Sequence, residues 1–403
     1  MKNRTLPMYW TLEALLALSG SWFLAVINWT LYLEFHSLVV LGSLNGFMAG
    51  IGLLKGVGGS LGDRGSRHIW VSISLILRAV AAMVALLDHQ FVILGTAILF
   101  YALAQTIIRP NLTASLNESV LDAQRALQNR RILGIHVLAR GVGLILFMII
   151  PVSAVVGYYT IGAIMVFTSL LWVSVPPPPE QSPQFQEESA PVRASGSVQA
   201  LKRITLVYWS LPGFALLNCA MALITGTLPA LTILTFHSNH WVYGSFMATA
   251  LFAMTIGTVW GPHLVSLMTH ARLYGVIFAL PILYVVWTVE PHMWIAFITL
   301  TLLATIGGLL SALIVSYEQQ HVDPHYRGSV TGITSGITAA AGAIGSLFLV
   351  IFGDFSVTHI EFLIIGILTL ASGVITTALK RFYALPRLQS NERREQIHAR
   401  PGL

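Results

Sequence analysis

The chain has 403 residues, of which 55% are hydrophobic and only 9% carry a formal charge, with a net charge of +6. Soluble domains carry roughly 25% charged residues, so too few remain here to cover a folded surface with water-facing groups. A soluble enzyme is excluded, and the basic balance marks the cytoplasmic loops of a membrane protein rather than a nucleic-acid partner.

A helix that crosses the hydrocarbon core needs about 20 mostly apolar residues. In chain order, such runs occupy residues 9–32, 38–60, 69–87, 91–112, 132–155 and 158–175. A polar stretch follows, and then 205–231, 242–265, 273–289, 292–315, 330–352 and 358–379. The first run follows Lys2 and Arg4 as a signal peptide would, but it is long and lacks a clear small-residue cleavage site. It reads as a retained helix. The fold class expected is therefore an all-α polytopic membrane protein with twelve transmembrane helices in two six-helix bundles.

The basic residues orient these spans. With the N-terminus in the cytoplasm, the inner segments hold Lys2, Arg4, Arg64, Arg67, Arg125, Arg130, Arg131, Arg193, Lys202, Arg203, Arg272, Arg327 and the six Lys or Arg from Lys380 onward. The outer turns, around His36, His89, Gly157, His240, Pro291 and Ser356, hold none. This asymmetry supports an even number of spans with both termini in the cytoplasm. The remaining cations, Lys55, Arg78, Arg109 and Arg140, fall inside the spans.

Between spans six and seven, Pro176 to Pro179 open a Gln-, Glu- and Ser-rich stretch. It divides the chain into a first bundle (1–175), a cytoplasmic linker (176–203), a second bundle (204–379) and a cytoplasmic tail (380–403). Two six-helix halves are expected of a carrier whose bundles rock about a site near the bilayer midplane. Gly42, Gly46 and Gly50 in span two, and Gly332, Gly336, Gly342 and Gly345 in span eleven, suggest surfaces where the bundles meet. The single cysteine, Cys219, lies in an apolar run and reads as a packing residue.

The loop joining spans two and three runs from Gly59 through Asp63, Arg64, Gly65 and Arg67 to His68. Gly59, Asp63, Arg64 and Arg67 resemble the cytoplasmic loop signature of the major facilitator superfamily, in which Gly is followed after three residues by Asp-Arg, a Gly and a basic pair. Gly65 directly follows Arg64 where that family normally has one intervening residue, and His68 stands where a second strong base is common. The resemblance implies that Gly59, Asp63, Arg64 and Arg67 form a gate at the cytoplasmic face. Span five does not reproduce the Gly-Pro pattern typical of proton-coupled drug antiporters, and Arg109 continues with Pro110 and Asn111 rather than Gln-Gly.

Ionisable groups inside a membrane usually face an aqueous cavity or a partner. Lys55 lies near enough to the cytoplasmic end to snorkel, whereas Arg78, Arg109 and Arg140 sit nearer mid-span. His136 and Arg140 are four residues apart and share a helical face. Acidic partners are few: Glu13 and Glu34 near opposite ends of span one, Glu118 near the inner end of span four, and Asp88 in an outer turn. Two readings follow. Either Arg78, Arg109 and Arg140 present a positive cavity to an anionic substrate, faced by Tyr208, Trp209 and Asn218, or Glu13, Glu118 and backbone carbonyls pin some of them and hold the bundle together. The candidate proton carriers are Glu13, Glu34 and His136.

The expected function is a plasma-membrane carrier working by alternating access on a small organic, anionic or amphipathic compound. The resemblance to efflux branches implies export. A broad multidrug exporter competes within the same class, and a non-transporting receptor or scaffold is the alternative from another. The chain is expected to be a monomer in the lipid bilayer, with a small-molecule substrate and either protons as the coupling ion or, as the alternatives, facilitated diffusion or anion exchange. No enzymatic activity, cofactor, metal or nucleic-acid partner is expected.

Overall fold

The computed structural model describes residues 5–55, 61, 66–119, 122–150, 154–175, 205–267, 292–321 and 327–352, with the single positions 367 and 371. The linker, the tail, span nine and nearly all of span twelve lie outside these residues, as do Gly59, Asp63 and Arg64. Among the described residues all regular structure is helical. The first half supplies α1 (Thr5–Phe35), α2 (Leu38–Ile51, extended by a tighter turn Gly52–Leu54), α3 (Arg67–Leu87), α4 (Phe91–Ser119), α5 (Asp122–Ile149) and α6 (Ala154–Val173). The second half supplies α7 (Thr205–Ala230), α8 (His240–Leu267), α9 (Met293–His321) and α10 (Arg327–Phe352).

Each of these helices covers one expected span, and the ends differ for local reasons. α5 starts ten residues before the expected 132, because 122–131 is polar but built of helix formers such as Ala, Gln and Arg, which carry the helix out of the apolar zone. α1 ends where His36 takes a left-handed φ of 47°. Ser37 then caps α2, its side-chain oxygen accepting from the Val40 N–H at 3.4 Å.

The two halves carry copies of one helix. α1 has Tyr9-Trp10-Thr11-Leu12 near its start and Phe35-His36-Ser37 at its end. α7 has Tyr208-Trp209-Ser210-Leu211 and ends in Phe236-His237-Ser238, with His237 again left-handed at φ 46°. The second copy is longer by two residues and contains a π-helical stretch, Leu231–Thr235, where the Phe236 N–H donates to Leu231 O at 3.0 Å.

Within the first half α1 packs on α5 and α6, and α3 on α4 and α6; within the second, α7 packs on α10 and α8 on α9. The halves meet along α2 against α10 and α5 against α8. Glycine permits the first of these crossings: a β-carbon on Gly42 would stand 2.7 Å from the Ser346 carbonyl oxygen, and one on Gly46 would stand 3.3 Å from the Ser346 β-carbon. Cys219 is buried, with Gly345 against its carbonyl. Large apolar side chains such as Leu170, Val173 and Trp294 lie exposed on the outside, where lipid would cover them.

Candidate functional site: a buried charge cluster in the first half

Four helices of the first half converge on one charged cluster. Glu13 of α1 is only 4% exposed, and its Oε1 lies 3.1 Å from Arg109 Nη1 of α4 and 2.6 Å from His136 Nδ1 of α5. Arg109 Nη2 is also 2.6 Å from His136 Nε2. Arginine has only donors, so Nε2 is the acceptor in that contact. The remaining hydrogen of a neutral imidazole then sits on Nδ1, which is close to the carboxylate but outside hydrogen-bond alignment with it. The Arg109 contact thus assigns the tautomer and leaves the three groups with no net charge. Pro110, next to Arg109 inside α4, removes a backbone donor from the helix at this point.

Arg78 of α3 is equally buried, at 4% exposure. Its Nη1 donates to the Leu16 carbonyl of α1 at 3.0 Å, and its guanidinium carbon stands 5.1 Å from the centre of the Tyr101 ring. The Tyr101 hydroxyl accepts from Gln105 Nε2 at 2.8 Å. Arg140 of α5 is half-buried beside the tight α1–α5 crossing, where its carbonyl accepts from the Ser21 hydroxyl at 2.8 Å. With one carboxylate against Arg78, Arg109 and Arg140, the cluster carries a formal excess of two positive charges.

The pinned reading of the arginines describes two of them. Arg109 is held by Glu13 and Arg78 by a backbone carbonyl, while the Arg109 side chain keeps 38% of its surface exposed. Glu34 lies 21 residues along α1 from Glu13, roughly 30 Å away, where its Oε1 meets His89 Nδ1 at 3.1 Å. Asn218 is half-buried in α7 and donates to Phe214 O of its own helix. The side chains of Tyr208 and Trp209 fall outside the described residues. Of the gate motif, Arg67 opens α3, and the neighbouring His68 stacks on Trp172 at 4.7 Å with its Nε2 3.2 Å from Val175 O. Lys55 is exposed just past α2.

Sequence reasoning missed Tyr101 and Gln105. The signal was the spacing of Tyr101, Gln105 and Arg109, four residues apart on one face of an apolar helix. Among the described residues, no three His, Cys, Asp or Glu side chains converge as metal ligands would.

Contacts between the halves crowd toward the end of the molecule where α1 terminates at Phe35. There Trp29 of α1 stacks on Tyr243 of α8 at 5.5 Å and 20°, and Phe147 of α5 meets the same tyrosine edge-on at 5.8 Å. Gly244 fits against Met148. Nearer the middle, a β-carbon on Gly141 would stand 2.9 Å from Phe252 Cζ, and one on Gly52 would stand 3.5 Å from the Ala339 β-carbon. Beyond this level, toward the Thr5 end, β-carbons on Gly134 of α5 and Gly336 of α10 would meet nothing within 4 Å. Arg140 adjoins Gly141, so it sits beside the α5–α8 contact between the halves.

Comparison with known proteins agrees with this architecture. The sequence profile of the Major Facilitator Superfamily matches residues 10–346. The fold is similar to that of the nucleoside transporter NupG (D323A mutant), with a TM-score of 0.73, 13% identity, and 94% of this chain and 100% of that one covered. It is also similar to the POT family transporter PepTSo, at TM-score 0.72 and 13% identity over 95% and 99% of the two chains. A third similar structure is a bacterial homologue of the human lysosomal transporter Spinster in an inward-facing, unoccupied conformation. Here the TM-score is 0.61 and the identity 14%, over 93% and 96%. No curated protein sequence matches the chain.

Proposed function

The chain belongs to the major facilitator superfamily, and we propose that it is a secondary active transporter carrying a small organic anion together with a proton by alternating access. The observation that carries this reading is the cluster of Glu13, Arg109 and His136, buried among α1, α4 and α5 and joined by the further positive charge of Arg140. While Glu13 is ionised, both terminal nitrogens of Arg109 are engaged. A proton on Glu13 removes the charge that holds Arg109, which then turns to an incoming carboxylate or phosphate, a geometry its fork suits.

Proton and anion thus favour the same state, which is the condition for co-transport. Exchange would need them to compete. This order supports uptake driven by an inward proton gradient over the export that the loop resemblance implies. Arg109 and Arg140 supply the charge, and α7 with Asn218 forms the opposing wall. The Phe35 end is the outside and the Thr5 end the cytoplasmic side of a plasma membrane, and the aromatic contacts of Trp29 and Phe147 with Tyr243 close the outer end. Gly59, Asp63, Arg64 and Arg67 lock the inner end when it closes.

Flux into proteoliposomes tests the reading. Labelled benzoate, citrate and aminobenzoyl-glutamate serve as organic anions, with uridine and dialanine as neutral and zwitterionic controls. The proposal expects uptake of at least one anion to rise when the outside is made acidic and to collapse when a protonophore is added. Anion flux that ignores the gradient, or flux of the controls alone, would contradict it.

A further inference from the structure

We propose that Arg78 is a positioning residue and not a substrate ligand: with Tyr101 it clamps α1 at Leu16 and thereby sets where Glu13 meets Arg109 and His136. The inference rests on the reading of Glu13 as the coupling carboxylate. A guanidinium that awaits a substrate needs an open face. Arg78 instead is sealed at 4% exposure, with Nη1 on the Leu16 carbonyl and its plane near the Tyr101 ring. Tyr101 is itself fixed, stacked on Phe23 of α1 at 4.7 Å and 22° and bonded through its hydroxyl to Gln105.

α1 therefore touches this clamp at Leu16, Gly20 and Phe23, two turns along one face. Leu16 is three residues beyond Glu13, on the same side of the helix. Gly20 allows the approach: a β-carbon there would stand 2.7 Å from the Tyr101 hydroxyl, 3.5 Å from Arg78 Nη2 and 3.6 Å from Gln105 Nε2. The clamp fixes both the axial height and the rotation of α1 against α3 and α4. Those two coordinates decide whether the Glu13 carboxylate reaches Arg109 and His136 together. The charged and titratable groups that act on Glu13 are Arg109 from α4, His136 from α5 and Arg78 from α3, and Lys55, just past α2, acts in turn on Arg109. Helices α2, α6 and α7, which also pack on α1, carry no Asp, Glu, Lys, Arg or His within their bounds.

The test is an infrared titration of the full chain in proteoliposomes with no substrate present, following the carboxyl C=O stretch as pH is stepped. The Glu13 band is identified by its loss in Glu13→Gln. Arg78→Lys keeps the charge but not the fork, and Gly20→Ala changes no charge while pushing Tyr101 away. Both are expected to move the midpoint of the Glu13 band by about one pH unit, the scale of one charge-assisted hydrogen bond. A residue that only contacts substrate leaves an unliganded carboxyl alone, and one that only stabilises the fold lowers the melting temperature without moving the band. Midpoints at the wild-type value in both variants therefore overturn the proposal. If Glu13→Gln leaves the titrating band in place, the coupling assignment itself falls, and the role of Arg78 falls with it.

Discussion

α1 and α7 begin and end alike, with Tyr-Trp-Thr/Ser-Leu at one end and Phe-His-Ser around a left-handed histidine at the other. They differ in the middle. The residue that follows the shared Leu is Glu13 in the first copy and Pro212 in the second. Glu13 is buried in a ring of partners; Pro212 is exposed and offers neither charge nor a backbone donor. The shared ends are the parts that turn the chain and seat the helix, and they are kept in both halves. Among the described residues the buried ion-pair cluster lies in the first half, which on the proposed function leaves the second half as the facing wall.

Substitutions at the divergent position should have the largest effect. Glu13→Gln is expected to reduce proton-driven accumulation to background in proteoliposomes, while Pro212→Ala leaves it within about twofold, a small surface effect. Equal losses in the two variants would break the asymmetry. Next come the cations: Arg109→Gln and Arg140→Gln should each weaken equilibrium binding of a transported anion about 10- to 100-fold, the value of a hydrogen bond to a charged group. Calorimetry on the purified protein measures this.

The contact between the halves gives a smaller effect. An aromatic pair contributes about 0.5–1.5 kcal/mol beyond its buried area. Trp29→Ala should therefore shift the balance toward the state open at the Phe35 end by about 2- to 10-fold. Spin labels at Leu33→Cys and Leu234→Cys, with Cys219 replaced by Ser, report it as a longer distance population. The smallest effect is expected at Tyr208. Its counterpart Tyr9 is 1% exposed and packs edge-on against Trp172 at 6.0 Å. If Tyr208 follows its counterpart, Tyr208→Phe should leave anion affinity within about twofold. A tenfold loss would place it on the substrate wall, as the sequence reading has it.

The spans were legible in the sequence because lipid imposes long apolar runs on any helix that crosses it. The arginines stood out for the same reason, as charges where apolar residues belong. Their partners were legible only as candidates, Glu13 and backbone carbonyls among them, without showing which arginine each would hold. Glu13 reads as a helix-end residue when the helix is counted from the apolar run at Tyr9, but α1 starts at Thr5 and places the carboxylate inside the bundle. Which arginine it meets depends on how α1 crosses α4 and α5, set by close approaches such as Gly143 against the Leu18 carbonyl. No local pattern encodes that crossing. The stripe of Tyr101, Gln105 and Arg109 was readable as a face, yet its separation into a clamp and a coupling group appears only once α3 is packed on α4.

The central claim, that proton and anion occupy the same state of the first half, is tested most directly by proton counting. A transported organic anion is added to lightly buffered purified protein near neutral pH, and the pH change is read against Glu13→Gln. The account predicts uptake of about one proton per anion bound by the wild type, and none by the variant. Proton release on anion binding, or no change in either protein, would contradict it.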